Sequence, residues 1–234
     1  MATVKPTAFN SGYVLRQDSG EYGGSRPVFV ELKGIKNDLV FPTFGMKLLN
    51  PFPQYGKMFA GDLAEFTVDG VGYLLKTYGL SKATLVDDTT IYIKNDKFRH
   101  IPNVGDVLMK APDVVTTTGK AVTVLSVIDE AVDGIKSWKV TISAALGVLD
   151  KDTVLVEAEE AGDDKSVLVK NPNTFIPNDL DFIYSPASSD SDFNGARYFI
   201  APALHGTAWE YRMSPIPPYV ETLNKSNVKG WFIL

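Results

Sequence analysis

The chain of 234 residues contains no cysteine. Disulfides, thiolate nucleophiles and cysteine-based zinc sites are therefore excluded. Histidine is almost absent too, with only His100 and His205. Neither belongs to an H-E-x-x-H helix or a closely spaced cluster, and both read as surface or hydrogen-bonding histidines. Positive charge is not in excess. Lys plus Arg number 23 against 28 Asp plus Glu, for a net charge of −5 and a sequence pI near 5.1. No global field draws in nucleic acid, so no such partner is expected. No apolar run approaches the ~20 residues that cross a bilayer. The opening "MATVKPTAFNSGYVL" lacks the apolar segment of a secretory signal. The expectation is a soluble protein made in a cytoplasm, with no membrane partner. There is no G-x-S-x-G elbow, no P-loop and no G-x-G-x-x-G. "EYGGSRP" reads as a flexible turn, because no helical pattern follows it.

What is present is an ordinary globular composition, 44% hydrophobic and 22% charged, long enough for one or two domains. Proline and aromatic residues divide it. Between residues 54 and 171 the only prolines are Pro102 and Pro112, and the other twelve lie in the flanks. Eight aromatics lie in this middle segment and eighteen in the flanks. This predicts an extended N-terminal arm over 1–53, a β core over 54–171, and a C-terminal arm or subdomain over 172–234.

The centre reads as β. "EFTVDGVGYLLKTY" (65–78) holds two apolar runs around Asp69-Gly70, a hairpin-turn dipeptide. "TIYIKN" alternates, with Ile91 and Ile93 on one face. "KAVTVLSVID" (120–129) is apolar on both faces, as a fully covered strand would be. "IKSWKVTIS" places Trp138, Val140 and Ile142 on one face. "DTVLVEAEE" and "KSVLVKN" supply two more short strands. Helical signals are few: one turn within "ISAALGVLD" (142–150), and a short proline-opened helix in "PPYVETLNKS" (217–226). The predicted class is mainly β, a compact barrel or sandwich core with extended proline- and aromatic-rich arms and little helix.

The arms are too aromatic for disordered tails. Either they fold back on their own core or part of them docks on another subunit. Phe41, Phe44, Phe52, Trp209, Tyr211, Tyr219 and Trp231 are the candidate partner-interface residues, since buried aromatics carry much interface energy.

Candidate chemistry is sparse. "DSDFNG" (Asp190 to Gly195) matches the first half of a calcium loop, but Ala201 stands where the bidentate glutamate belongs. It reads as a solvated acidic turn. The acids of "EAEEAGDD" (157–164) and Asp87-Asp88 read as exposed, hydrated loops. "AGDLAEF" (60–66) and "VGDVLMK" (104–110) repeat a Gly-Asp pair before an apolar run, with a looser echo in "DKDTVLVE" (150–157). Asp62 and Asp106 are either active-site acids or residues that begin a strand by bonding nearby backbone N–H groups. Repetition favours the second reading. No catalytic, cofactor-binding or metal site is assigned, and an enzyme is not expected.

One resemblance extends across the chain. "TFGMKLLNPFPQYGKMFAGDLAEF", "VGYLLKTYGLSKATLVDDTTIYI", "PNVGDVLMKAP", "AVTVLSVIDE", "VTISAALGVLDKDTVLVEA" and the closing "PIPPYVETLN…WFIL" form an ordered series. Together they resemble head fibre or capsid auxiliary proteins of tailed phages, especially those of Bacteroides and the crAss-like phages. The resemblance covers roughly residues 43–234, leaving 1–42 as a candidate arm threaded across capsid subunits. It implies a β-rich protein on the capsid exterior, made in the host cytoplasm. The implied partner is the major capsid protein, with head-fibre proteins or copies of itself as further ones. It implies no cofactor and no reaction. Long Gly/Ser-rich or coiled-coil shafts are absent from the sequence, which favours a decoration or cement protein over a long fibre. The alternatives are a head-fibre attachment protein, or a carbohydrate-binding or hydrolytic domain for host attachment.

Overall fold

The structure, a computed structural model, describes residues 46–50, 57–95, 99–176, 179–181, 199–200, 206–208, 214–220 and 231–233. It is mainly β, as the sequence predicts. Along the chain run β1 (Met46–Leu48), β2 (Lys57–Met58), β3 (Leu63–Phe66), β4 (Val71–Leu74), β5 (Thr77–Gly79) and β6 (Thr90–Lys94). Next come β7 (Val107–Lys110), β8 (Gly119–Asp129), β9 (Ser137–Ile142), β10 (Val154–Glu157) and β11 (Gly162–Lys165). The last are β12 (Thr174–Phe175), β13 (Leu180–Asp181), β14 (Phe199–Ile200), β15 (Gly206–Ala208) and β16 (Trp231–Ile233).

Five strands form one sheet in the order β12-β3-β4-β1-β14, antiparallel except for the β1–β4 pair. Seven form an antiparallel sheet in the order β5-β10-β7-β8-β9-β6, with β11 also on β8. β13–β2 and β15–β16 are separate short pairs. The larger sheet curls. Leu80, just past β5, bridges Ile93 of β6, and the Ser81 N–H donates to the Tyr92 carbonyl at 2.8 Å. The ladder itself stays open.

Strand alternation sorts side chains into cores. Inside the curl lie Leu80, Ile91, Ile93, Leu108, Val122, Val140 and Leu155. Their sequence neighbours Met109, Ala121 and Val156 face the other way, onto Leu63, Leu75, Phe175 and Tyr219. A third core joins Leu48, Met58, Ala64, Phe66, Leu74 and Ile176. The segment Leu74-Leu75-Lys76-Thr77-Tyr78 passes from the smaller sheet to the larger and contributes to all three.

The predicted hairpin at Asp69-Gly70 is present as β3–β4, with Gly70 at φ 74°. Ile91 and Ile93 share the buried face of β6, as predicted. Trp138, Val140 and Ile142 pack toward the curl from β9. Three expectations need correction. Residues 120–129 are not covered throughout: Ala121, Val122 and Val124 are buried, but Leu125 and Ile128 are more than half exposed. β7 and β11 flank only the first half of β8, and a register shift at 124–126 re-aims the rest. No helical turn forms within 142–150. There the Ser143 N–H bonds the Thr123 carbonyl, the Leu149 N–H bonds the Thr84 hydroxyl, and Gly147 adopts φ 86°. In "KSVLVKN" only Lys165 belongs to a strand, as the end of the acidic Gly162–Lys165, and its apolar part contributes a single bridge, Val167 to Ala158.

The arms are partly integrated. β1 pairs with β4, and β12 with β3. A helical turn at 218–220 lies within the predicted 217–226 segment. Gly72 marks the tightest backbone approach in the β3–β4 hairpin. A Cβ there would lie 2.0 Å from the Glu65 carbonyl oxygen, whereas Gly70 faces open space. Urea denaturation is expected to show a loss of about 1 kcal/mol for Gly70→Ala, from its positive φ alone. Gly72→Ala should lose about 3 kcal/mol or more, because backbone must move. Equal losses would contradict this reading of the hairpin.

Candidate functional site

The two Gly-Asp segments fold into the same device. In each, the aspartate N–H closes a turn on the carbonyl three residues back: Asp62 to Phe59 at 3.0 Å and Asp106 to Asn103 at 3.1 Å. The glycine before it adopts positive φ, 86° at Gly61 and 94° at Gly105. The aspartate Oδ2 then accepts the N–H of the first turn residue, Phe59 at 2.7 Å and Asn103 at 2.9 Å. The third segment is a looser version. Thr153 N–H bonds the Asp150 carbonyl, and Asp152 takes the positive-φ place of the glycines at 70°. The backbone role expected for Asp62 and Asp106 is therefore real. Both carboxylates, however, are buried and grip further partners.

Around Asp62, Oδ2 also meets His100 Nε2 at 2.8 Å, and Oδ1 accepts the Ser214 hydroxyl at 2.6 Å. His100 is buried, and its Nδ1 accepts the Thr77 backbone N–H at 3.2 Å. That acceptor role places the imidazole proton on Nε2, which donates to Asp62. Serine, histidine and aspartate thus meet, but in the wrong order for nucleophilic catalysis. The hydroxyl points at the acid, and the imidazole has no free nitrogen to act as base. The cavity beside Asp62, Thr77 and Ser214 measures about 10 Å³. That is room for one water and not for a substrate.

Around Asp106, the ammonium of Lys76 lies 3.2 Å from Oδ2 and 2.6 Å from Glu157 Oε1. The Tyr78 hydroxyl donates to the same Oδ2 at 3.2 Å. Glu157 Oε2 accepts from Asn50 Nδ2 at 2.8 Å, and Asn50 also bonds the backbone of Leu74 through both side-chain atoms. Asp106 Oδ1 is buried without a hydrogen-bond partner. Lys76 and Tyr78 point to one side of β5, while the Thr77 N–H serves His100, so three consecutive residues tie both aspartates to one strand.

One ammonium faces two carboxylates in a dry site. Burial pushes the Glu157 carboxyl up to about 7, and Asp106 adds to the rise, against the pull of Lys76. Burial would lower Lys76, but Glu157 and Asp106 outweigh it and hold the ammonium above its usual range. Burial, then Asp106 and Glu157, push the Tyr78 phenol well up. No set of three His, Cys, Asp or Glu side chains among the described residues is arranged to hold a metal ion.

The expectation that the 157–164 acids are exposed fails at Glu157. It shares the inward face of β10 with Leu155, two residues earlier, and that spacing was a readable signal. Lys76 was missed because its apolar neighbours conceal it, although a lysine inside "YLLKTY" is itself unusual. Of the candidate interface residues, Tyr219 is fully buried in the chain's own core and donates to the Val169 carbonyl at 2.8 Å, so it offers no surface to a partner. Trp231 belongs to β16. Phe41, Phe44, Phe52, Trp209 and Tyr211 lie outside the described residues, as do the Asp190–Gly195 loop and His205. No protein-family model, curated protein or solved structure matches the chain.

Two outcomes follow from this geometry. Ser214 should resist labelling by a fluorophosphonate probe, and labelling that Ser214→Ala abolishes would contradict the locked arrangement. Between the ordinary Glu value of 4.5 and about 7, the folded chain binds more protons at Glu157 than the unfolded chain. The contribution of this group to stability therefore falls as pH rises through that window. Urea midpoints of the wild type and Glu157→Gln across the window should diverge accordingly, and parallel profiles would contradict it.

Proposed function

We propose that the chain is a virion structural protein, an auxiliary decoration or cement protein bound non-covalently to the exterior of a tailed-phage capsid. The major capsid protein is its partner in this reading, with no substrate turned over and no cofactor. The observation that carries it, beside the resemblance of residues 43–234, is the use made of the reactive side chains. Asp62, His100, Lys76, Asp106 and Glu157 are sealed inside and spend their hydrogen bonds on fastening strands. A scaffold fastened in this way suits a protein that holds neighbouring subunits together. Bridging of Thr84 to Leu149 brings exposed Leu85 and Val86 near exposed Val148, apolar surface that a shell contact would cover. Repetition over a symmetric shell multiplies weak contacts by avidity.

The wider groove, about 310 Å³, runs between β7, β8 and the 112–118 loop. Among the described residues, Lys110, Asp113, Thr117 and Lys120 line it, and no aromatic ring does. Among these residues the groove offers no stacking platform of the kind a sugar site favours. The chain should co-sediment with capsid shells, stay in purified heads, and give no hits on a glycan array. Its absence from purified heads, or specific glycan binding without shell binding, would overturn the proposal.

A further inference from the structure

We propose that Lys76 and Asp106 become joined by an intramolecular isopeptide bond, an amide between Lys76 Nζ and Asp106 Cγ, with Glu157 as the proton carrier. The inference stands on the isolated chain and does not depend on where that chain is bound.

Three features of the cluster converge on this chemistry. First, the reactants are held together in the dry core. Lys76 and Asp106 side chains are fully buried, with Nζ 3.2 Å from the carboxylate Oδ2. Such placement replaces a bimolecular encounter with a positioned one. Second, the two carboxylate oxygens have opposite surroundings. Oδ2 accepts from the Asn103 N–H and the Tyr78 hydroxyl, at 2.9 and 3.2 Å, as well as from Lys76. Those two donors can stabilise the negative charge that develops on Oδ2 when nitrogen adds to Cγ. Oδ1 has no partner and is the oxygen free to leave. Third, a second carboxyl touches the nucleophile, with Glu157 Oε1 2.6 Å from Nζ and its Oε2 anchored by Asn50.

The step balances without any outside reagent. Glu157 takes a proton from the Lys76 ammonium, and the freed amine lone pair attacks Cγ. The Cγ–Oδ1 bond breaks, and Oδ1 departs as water. Of the three ammonium hydrogens, one stays on the amide nitrogen and two leave on that water. Glu157 returns to its starting state. The ammonium is the resting form of Lys76, held by both carboxylates, so the amine arises only by transfer to Glu157. A Glu157 carboxyl that titrates near 7 suits that exchange at neutral pH. The driving force is the removal of charge. Ionised groups in a dry interior carry a desolvation cost. The product replaces a buried ammonium and a buried carboxylate with one neutral amide. Water exclusion then opposes hydrolysis. The bond would close a loop between residues 30 apart and fix the junction of the two sheets to the start of β7.

Intact-mass spectrometry of the purified full chain in denaturant, followed by peptide mapping, tests this. The wild type should run one water lighter than its sequence mass, with a branched peptide joining Lys76 to Asp106. Lys76→Met and Asp106→Ala should run at their own sequence masses, and Glu157→Gln should retain all or most of the water. If those variants fail to fold, the wild-type mass and map alone decide. A wild type at full sequence mass after incubation of the folded chain at neutral pH overturns the proposal. So does a lost water that maps to a cyclic imide at Asp69-Gly70 or Asp133-Gly134, or a branch from Lys76 to Glu157.

Discussion

The structure depends on how one buried ammonium is accommodated. Lys76 sits where the chain crosses from the smaller sheet to the larger, and it is enclosed by Asp106 and Glu157. A lone charge there would be prohibitive, and removing one partner of a buried pair typically costs about 3–5 kcal/mol. The sequence must therefore deliver both carboxylates to one point. β10 brings Glu157 and the turn before β7 brings Asp106, so both strands are tied to the start of β5. Asn50, from the N-terminal side of the core, completes the ring through Glu157 and Leu74. Register, sheet junction and arm attachment are thus one problem with one solution.

The twin turns explain how a chain with so few reactive residues builds this. Each uses a glycine at positive φ to reverse direction and an aspartate to cap the reversal. Because the cap consumes only part of the carboxylate, each aspartate retains capacity for a cation or donor from a distant strand. Asp62 uses it on His100 and Ser214, and Asp106 on Lys76 and Tyr78. The same local motif becomes a long-range fastener when it is buried. At Asp152 the aspartate side chain is exposed, and it pairs with Lys94 at the surface.

Much of the β architecture was legible in the sequence. Alternation at Ile91 and Ile93, the Asp69-Gly70 hairpin and the Gly-Asp strand starts all depend on local rules that the fold obeys. What was not legible depends on partners far away in sequence. Leu125 and Ile128 look like core residues, yet β7 and β11 stop short of them and only β9 runs on beside that half of β8. Val167 looks like a strand residue, but the ladder on β8 is taken by Gly162–Lys165. Glu157 was hidden among acids that are solvated, and only its phase relative to Leu155 marks it as inward. The candidate site was half visible: Asp106 was singled out, while its lysine and second carboxyl were 30 and 51 positions distant.

Among the described residues, the 76–106–157 junction should be the most firmly held part. Native-state hydrogen exchange resolved to single amides measures it most directly. The Lys76 N–H bonds the Leu74 carbonyl, the Thr77 N–H bonds His100, and the Asp106 N–H bonds the Asn103 carbonyl. These three amides should exchange only through global unfolding, with the protection of the core strands β7 and β10. Rapid exchange at Lys76 or Asp106 while those strands remain protected would show that the junction opens by itself and does not hold the two sheets together.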